Sequence, residues 1–496
     1  MHILLATSEA VPFAKTGGLA DVAGALPIAL AKLGHKVTLM LPCYRSARKT
    51  DLPLTPTDIE FSFAMGARNV AGRLLETKLP GSEVTVYLVE QNDYYDRDGL
   101  YRSGNEDYKD NCERFVFFNR AVLETIGHLD TPVDVLHAND WQTGLLPAYL
   151  KIDYRGVPGY EQIATLLTIH NMAYQGQFWH WDMLLTGLDW KYFNWQQLEF
   201  FGKLNLLKAG LVFSDAINTV SPRYSEEIQG SEHGCGLEGV LQQRRSILSG
   251  IINGVDYAVW NPASDPHLVK NFDADSVAAG KPACKVALQQ ALGLRVEPRA
   301  PLVGLVGRLV EQKGIDLVTR VMQDWVHRTE IQWAILGTGE PKYEQQLMAL
   351  AERFPHRVAV KLDFSDPLAH QIEAGSDIFL MPSRFEPCGL NQLYSLKYGT
   401  VPVVRSTGGL VDTVTDTNEQ SLAAGTATGF AFHDYSTLGL SEALRRALDT
   451  YESRPEVWQK LQDNGMRQDW SWDASARKYA ELYERILART RQAVRT

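Results

Sequence analysis

The chain is poor in cysteine. Its 496 residues carry five, at Cys43, Cys112, Cys235, Cys284 and Cys388. They are odd in number, far apart and never spaced as CxxC, which argues against a disulfide framework or a zinc cluster and for a reducing, cytoplasmic setting. There is no uninterrupted apolar run long enough to span a bilayer. The first residues, MHILLATSEA, have neither a basic start nor a small-residue cleavage site, so no signal or transit peptide is expected. An excess of positive charge is also missing. Lys and Arg number 49 against 59 Asp and Glu, for a formal net charge of −10. Neither a nucleic-acid nor a membrane partner is expected from such a balance, although locally basic clefts fit within it. Low-complexity segments and a GxxxxGK[ST] phosphate loop are absent. The pairs HxND and HN lack the HExxH spacing of a zinc site, so no metal is expected. GTGEPKYE, from Gly337, lacks the third glycine of a dinucleotide fingerprint, and a nicotinamide enzyme is a weak reading.

What is present is ordinary for a soluble globular protein, with 45% hydrophobic and 22% charged residues. The length fits two large α/β domains. HILLAT (2–7) reads as a buried parallel strand. Leu19, Val22, Ala23, Leu26, Leu30 and Leu33 then recur at helical spacing, Gly34 suits the helix end, and Pro27 predicts a kink. HKVTLMLP closes a βαβ unit. Between Asp58 and Glu90 the pattern alternates, which predicts an antiparallel insertion. Parallel patterning resumes at VDVLHAND and IATLLTIHNMAY. Gly, Pro, Asn and Asp gather in 249–266, and a second βα series begins with PLVGLVGRLVEQKG. The reading is two Rossmann-like domains, 1–249 and 250–469, facing across a deep cleft, followed by a helix over 470–496 with Trp472, Ala476, Tyr479, Tyr483 and Ile486 on one face.

Two stretches nearly repeat: KTGGLADVAG (15–24) and STGGLVDTVTD (406–416). Adjacent glycines between strand and helix let the backbone approach an anion at the positive end of a helix. A single such pair is more often a tight turn; the shared Thr and Asp, at matching places in each half, favour function. Arg308 and Lys313 in GRLVEQKG stand just past a buried strand, where two cations can clamp a diphosphate. Glu386, in SRFEPCGLNQLYSLKYG, follows the strand DIFLMP and precedes a helix from Asn391. It can hold sugar hydroxyls or stabilise a positive carbon, or merely complement a helix dipole. Cys388 reads better as a packed residue than as a reactive thiol. His137, Asn139 and Asp140, and His170 with Asn171, lie at strand ends. The Trp- and Tyr-dense QFWHWDMLLTGLDWKYFNW (177–195) suits sugar rings or a packed lobe, the latter being the default for most of them.

Together KTGGLADVAGALP, DWQTGLLP, TIHNMAYQG, INGVDYAVWNP, GRLVEQKG, PSRFEPCGLNQLYSLKYG and STGGLVDTV resemble, in order and over nearly the whole chain, the ADP-glucose-dependent glycogen and starch synthase family. The resemblance implies an α/β GT-B glycosyltransferase fold. It also implies transfer of glucose from ADP-glucose to the non-reducing end of an α-1,4-glucan or glycogen, with anomeric retention and without a metal or other cofactor. Lys15, Gly17 and Gly18 are implied to contact the donor, and Arg308, Lys313, Thr407, Gly408 and Gly409 to hold its diphosphate. Glu386, Lys15, His170 and Asp140 form the implied catalytic set. His170, Asn171, Asn253, Glu386, Cys388, Gly389 and Leu390 are implied to line the sugar. The terminal helix is implied to pack back on the first domain, and both Gly-Gly turns to meet one sugar diphosphate. Eight residues after Glu386, where many retaining relatives of this fold have a second Glu, stands Tyr394. That disfavours a pair of glutamates and favours front-face attack. A glucan-binding protein on a decayed scaffold is disfavoured by the intact Lys15, Arg308, Lys313 and Glu386. No motif for a pyridoxal-phosphate lysine supports a phosphorylase.

Overall fold

In the computed structural model, which describes residues 1–104 and 106–495, the chain divides into two units. One comprises residues 1–254 and the segment from Trp472; the other is Val255–Ser471. The break expected at 249/250 therefore falls after Gly254. A strand explains the shift, because Leu248–Gly250 pairs in parallel with Ala216–Thr219 and completes the first sheet. At the return crossing, the Val255 N–H donates to the Trp470 carbonyl at 2.7 Å, which keeps residues 470 and 471 in the second unit.

The first unit is built on β1 (His2–Ala6), β2 (Lys36–Pro42), β3 (Thr55–Met65), β4 (Arg68–Lys78), β5 (Thr85–Glu90), β6 (Val135–Asn139), β7 (Ala164–Ile169), β8 (Ala216–Thr219) and β9 (Leu248–Gly250), in the order β9-β8-β7-β6-β1-β2-β5-β4-β3. All neighbours from β9 to β5 run parallel. Only β4 and β3 are antiparallel, so the predicted insertion extends one edge of the main sheet. β1, β6 and β7 are buried along their whole length, as strands covered on both faces are, and the polar side chains they carry, such as His137, Asn139 and Thr168, are buried with them. The helix Gly18–Lys32 continues through the buried Pro27, with Gly34 left-handed just beyond its end. The C-terminal helix, Trp472–Arg495, buries Trp472, Ala476, Tyr479, Tyr483 and Ile486 in this unit's core. The Tyr483 hydroxyl lies 2.8 Å from His137 Nδ1, and the Tyr479 hydroxyl accepts from Asn218 Nδ2 at 3.1 Å. A Cβ on Gly254 would lie 2.5 Å from the Trp472 Cα, so only glycine admits the helix there.

The second unit has β10 (Leu302–Val306), β11 (Gln332–Leu336), β12 (Val358–Lys361), β13 (Ile378–Met381), β14 (Val401–Arg405) and β15 (Phe430–Phe432). All run parallel, in the order β12-β11-β10-β13-β14-β15. That is the doubly wound order of dinucleotide-binding sheets. The chain moves outward from β10 to β12, then returns to the other side of β10. The first sheet does the same at β1, whose later neighbour is β6. Each sheet therefore has one switch point, and crevices at the carboxyl ends of strands open there.

The aromatic stretch packs only in part: Phe178, Tyr192 and Phe193 lie against the core, and the tryptophans do not. Trp179, Trp181, Trp190 and Trp195 are exposed by 39% to 70%. Its pieces are a three-residue strand and single helical turns, too short to offer two covered faces. The rings pack edge-on against one another instead, Trp181 on Trp190 at 5.5 Å and Trp190 on Phe193 at 5.5 Å. Among the described residues, no helix is long and apolar enough to cross a membrane.

Candidate active site

At the switch point of the first unit, the loop after β1 carries Lys15, Gly17 and Gly18. Lys15 Nζ lies 2.7 Å from Asp21 Oδ1, both partly exposed. The loop's shape comes from a residue the motif reading missed. Glu9, 4% exposed, accepts from the Thr16 N–H and hydroxyl at 2.5 Å each and from the Gly17 N–H at 3.2 Å. The Tyr101 hydroxyl donates to the same carboxylate at 2.6 Å. Glu9 is the one acid between β1 and Gly17, which was the available signal. A Cβ built on Gly17 or Gly18 meets nothing within 4 Å. Packing therefore does not demand either glycine, and the space they leave is open to a ligand.

Beside this loop, β6 ends in Asn139 and Asp140. The Asp140 backbone has φ 56° and ψ −171°, a region that is almost exclusively glycine's and costs about 1–3 kcal/mol. Its N–H donates to Thr168 O, and its Oδ1 accepts the His170 N–H at 2.7 Å, so the tips of β6 and β7 are tied together. Burial pushes the Asp140 carboxyl up to about 7, against the lowering effect of the backbone N–H groups of His170 and Asn171. Asn139 donates through Nδ2 to Ala6 O, so its Oδ1 is the acceptor that faces His170 Nε2 at 2.9 Å. The His170 hydrogen therefore sits on Nε2, and Nδ1 keeps a lone pair. Burial lowers His170 to about 3, so the ring is neutral in the physiological range. Asn171 accepts the Ala173 N–H in a local turn. His137 is spent on Thr168 and Tyr483, a core role. Asn253 is buried just after the edge strand β9, which β8 separates from β7, and its Oδ1 has no hydrogen-bond partner. The neighbouring Ile252 carbonyl accepts from Ser475 of the C-terminal helix.

At the switch point of the second unit, the loops after β10 and β13 meet. Lys313 Nζ lies 2.6 Å from Glu386 Oε2, and the Ser383 hydroxyl donates to the same oxygen at 3.0 Å. Glu386 is buried; Lys313 is about a quarter exposed. The Arg308 guanidinium is exposed and donates to Gln312 Oε1 at 3.2 Å, and the Gln312 carbonyl accepts the Arg384 N–H. Gly314, with φ 74°, would carry a Cβ 2.2 Å from Pro382 O, so glycine lets the two loops touch. Cys388 is buried; Gln392 Nε2 donates to the Cys388 and Gly389 carbonyls. Gly389 is left-handed, and Leu390 precedes the helix Asn391–Lys397.

The second Gly-Gly pair differs physically from the first. A Cβ on Gly408 would lie 2.0 Å from Glu386 O, and one on Gly409 2.1 Å from Cys388 O. Gly408 has φ 46°, and the Gly409 N–H donates to Glu386 O at 3.1 Å. These glycines, beside the buried Thr407, let the backbone of 386–388 lie against the loop after β14. Their shown work is to hold Glu386 in place, and the Gly409 N–H is already committed. Ser383, Gln312 and Gln392 lie within the quoted motifs without an assigned role, because a single polar residue beside a strand end carries no signal until the fold brings its partner near.

Known proteins match the whole chain. Residues 2–243 match the starch synthase catalytic domain family, and residues 294–464 match glycosyl transferases group 1. The chain is 46% identical to a glycogen synthase of Rhodopirellula baltica, over 99% of each chain. It is 46% identical to a glycogen synthase of Syntrophotalea carbinolica, over 98% of this chain and 99% of that one. The catalytic domain of starch synthase IV from Arabidopsis thaliana, solved bound to ADP and acarbose, is similar with a TM-score of 0.88 and 31% identity, over 98% of this chain and 99% of that one.

Proposed function

We propose, from the premise that this chain belongs to the glycogen synthase family, that it transfers glucose from ADP-glucose to the non-reducing end of an α-1,4-glucan, retaining the anomeric configuration. Its fold is the GT-B glycosyltransferase fold of two Rossmann-like domains. The proposed setting is glycogen biosynthesis in the cytoplasm. The observation that carries the reading is the buried Glu386 carboxylate, held by Lys313 and Ser383 at the switch point of the second sheet.

In this reading Arg308 and Lys313 hold the donor's diphosphate, with Thr407 and the Gly408–Gly409 turn beside it. An ammonium has three donors, so the Glu386 pair leaves Lys313 able to reach a phosphate oxygen as well. These cations stabilise the charge that grows on the departing ADP, which is why no metal is invoked. Glu386 orients the glucose hydroxyls and stabilises positive charge at the anomeric carbon, with Cys388, Gly389 and Leu390 along the sugar. Lys15, Gly17 and Gly18 contact the donor in the open space above the first loop. Neutral His170, with Asp140, Asn171 and Asn253, borders the sugar. The acceptor hydroxyl attacks from the leaving-group face: its oxygen bonds to the anomeric carbon, the carbon–phosphate oxygen bond breaks, and the proton passes to the departing diphosphate.

Incubation with glycogen and ADP-glucose, UDP-glucose or glucose 1-phosphate, following which one releases its leaving group, tests the assignment. ADP-glucose is expected to be preferred, and proton NMR of the new linkage to show the α configuration. Equal or better kcat/KM with UDP-glucose would sink the donor assignment, and a β linkage the stereochemical one.

A further inference from the structure

Tyr394, the residue that stands where a second glutamate is often found, is one layer of a ring stack in the second unit. Trp260 lies flat between Tyr394, at 3.9 Å and 3°, and His370, at 3.7 Å and 9°. His370 belongs to the helix Asp366–Gly375 and is 1% exposed. Its Nδ1 lies 2.7 Å from Asp265 Oδ2, which also accepts the Tyr398 hydroxyl at 2.6 Å. The Asp265 Oδ1 accepts the His267 N–H at 2.8 Å, so both carboxyl oxygens are engaged. With both oxygens accepting, Asp265 takes the His370 hydrogen on Nδ1, and Nε2 presents a lone pair.

That buried Nε2 has no hydrogen-bond partner, a state native structures rarely leave unused. It faces Asp366, whose Oδ2 lies 3.8 Å away, and His267, whose ring centre is 5.0 Å from that of His370. One ligand atom from each of His267, Asp366 and His370 lies within 4.8 Å of the others. We propose that these three side chains bind a divalent transition-metal ion of the zinc type. Two imidazole nitrogens and one carboxylate oxygen suit such a borderline ion, whereas calcium and magnesium select oxygen ligands. Bonds of about 2.0–2.2 Å in a tetrahedron put ligand atoms roughly 3.3 Å apart, a modest tightening from the observed spacing. Asp366 is exposed, which leaves a coordination position for water. Asp265 is the outer carboxylate that commonly orients a metal-bound histidine. The ion cross-links the segment around His267 to the helix Asp366–Gly375, next to the Trp260 stack. None of its ligands is assigned to the donor or the sugar, so its role is structural and the transfer itself runs without it.

The test uses the full chain, stripped with a chelator and dialysed against zinc chloride alone, with bound zinc counted per chain and Tm measured. One zinc per chain and a raised Tm are expected, with glucosyl transfer by the folded, stripped enzyme unchanged. Removing an outer partner of a metal site weakens binding about 10–100-fold, so His267→Ala and Asp366→Asn, which lose a ligand, are each expected to weaken it at least tenfold. Far-UV circular dichroism of both variants is expected to match the parent, since neither side chain is in the core. Absence of bound zinc in the parent chain overturns the proposal. So does zinc bound equally well by the parent and both variants, which would place it elsewhere.

Discussion

Replacing the glycines of the two near-identical turns with alanine should produce opposite results. At Gly17 the backbone is extended, with φ −155°, and the added methyl meets no atom within 4 Å. Alanine there restricts the unfolded chain, a gain of about 0.4–1 kcal/mol, and gives up glycine's preference at the helix N-cap, a loss of similar size. At Gly18, the first helical residue, alanine is favoured by up to about 1 kcal/mol. Neither change should lower Tm. At Gly409 the methyl would stand 2.1 Å from the Cys388 carbonyl oxygen, more than 1 Å inside contact distance, and such overpacking costs about 1–3 kcal/mol. Gly408 adds a left-handed φ, worth about 1–2 kcal/mol more. For a unit of this size each kcal/mol moves Tm by about 2–4 °C, so Gly408→Ala should lower Tm by roughly 5–20 °C. Scanning calorimetry measures Tm, and ADP release from ADP-glucose with glycogen reports turnover. If Gly17 and Gly18 leave room for the donor, the Gly17→Ala methyl should hold the donor off the loop, and losing the equivalent of one charged hydrogen bond there, about 1.5–3 kcal/mol, would cost roughly ten- to a hundred-fold in kcat/KM at parental Tm. Wild-type kinetics in Gly17→Ala would end the claim that the open space is for a ligand. Parental stability in Gly408→Ala would show that the second turn does not need glycine to seat Glu386.

Glu386→Gln should fall mainly on kcat, since it keeps the shape and removes the charge that stabilises the reacting carbon, whereas Lys313→Ala should harm KM and kcat together by about ten- to a hundred-fold in kcat/KM. A near-normal kcat in Glu386→Gln would remove it from the catalytic set. Asp140 supplies a pH test. Its folded pKa, about 7, lies above its ordinary 3.8, so between those values the native state binds more protons than the unfolded chain, and stability falls as pH rises through that window. Asp140→Asn keeps the oxygen that accepts from His170 and cannot ionise. Its Tm advantage over the parent should be larger at pH 8 than at pH 4.5, and an advantage independent of pH would show that Asp140 ionises normally. Thorough chelation should leave turnover of the folded enzyme intact; loss of turnover restored by added metal would refute a transfer driven by Arg308 and Lys313.

The order of strands and helices, the two α/β halves and the place of Glu386 were legible because each is written locally. Parallel strands buried on both faces are largely apolar runs, glycines mark their exits, and Glu386 sits directly after one such run. Tertiary structure decided what no local pattern encodes. Gly17–Gly18 and Gly408–Gly409 read alike, yet one pair faces open space and the other wedges against the backbone of residues 386–388, a difference set by segments remote in sequence. Glu9 looks like any loop acid until the fold closes Thr16 and Gly17 around it. His370 becomes a nitrogen with an uncommitted lone pair only because Asp265, distant in the chain, takes its other side. The exposed tryptophans of 177–195 make the same point in reverse: apolar composition says what can be buried, and whether it is buried depends on whether enough regular structure surrounds it to supply a second face.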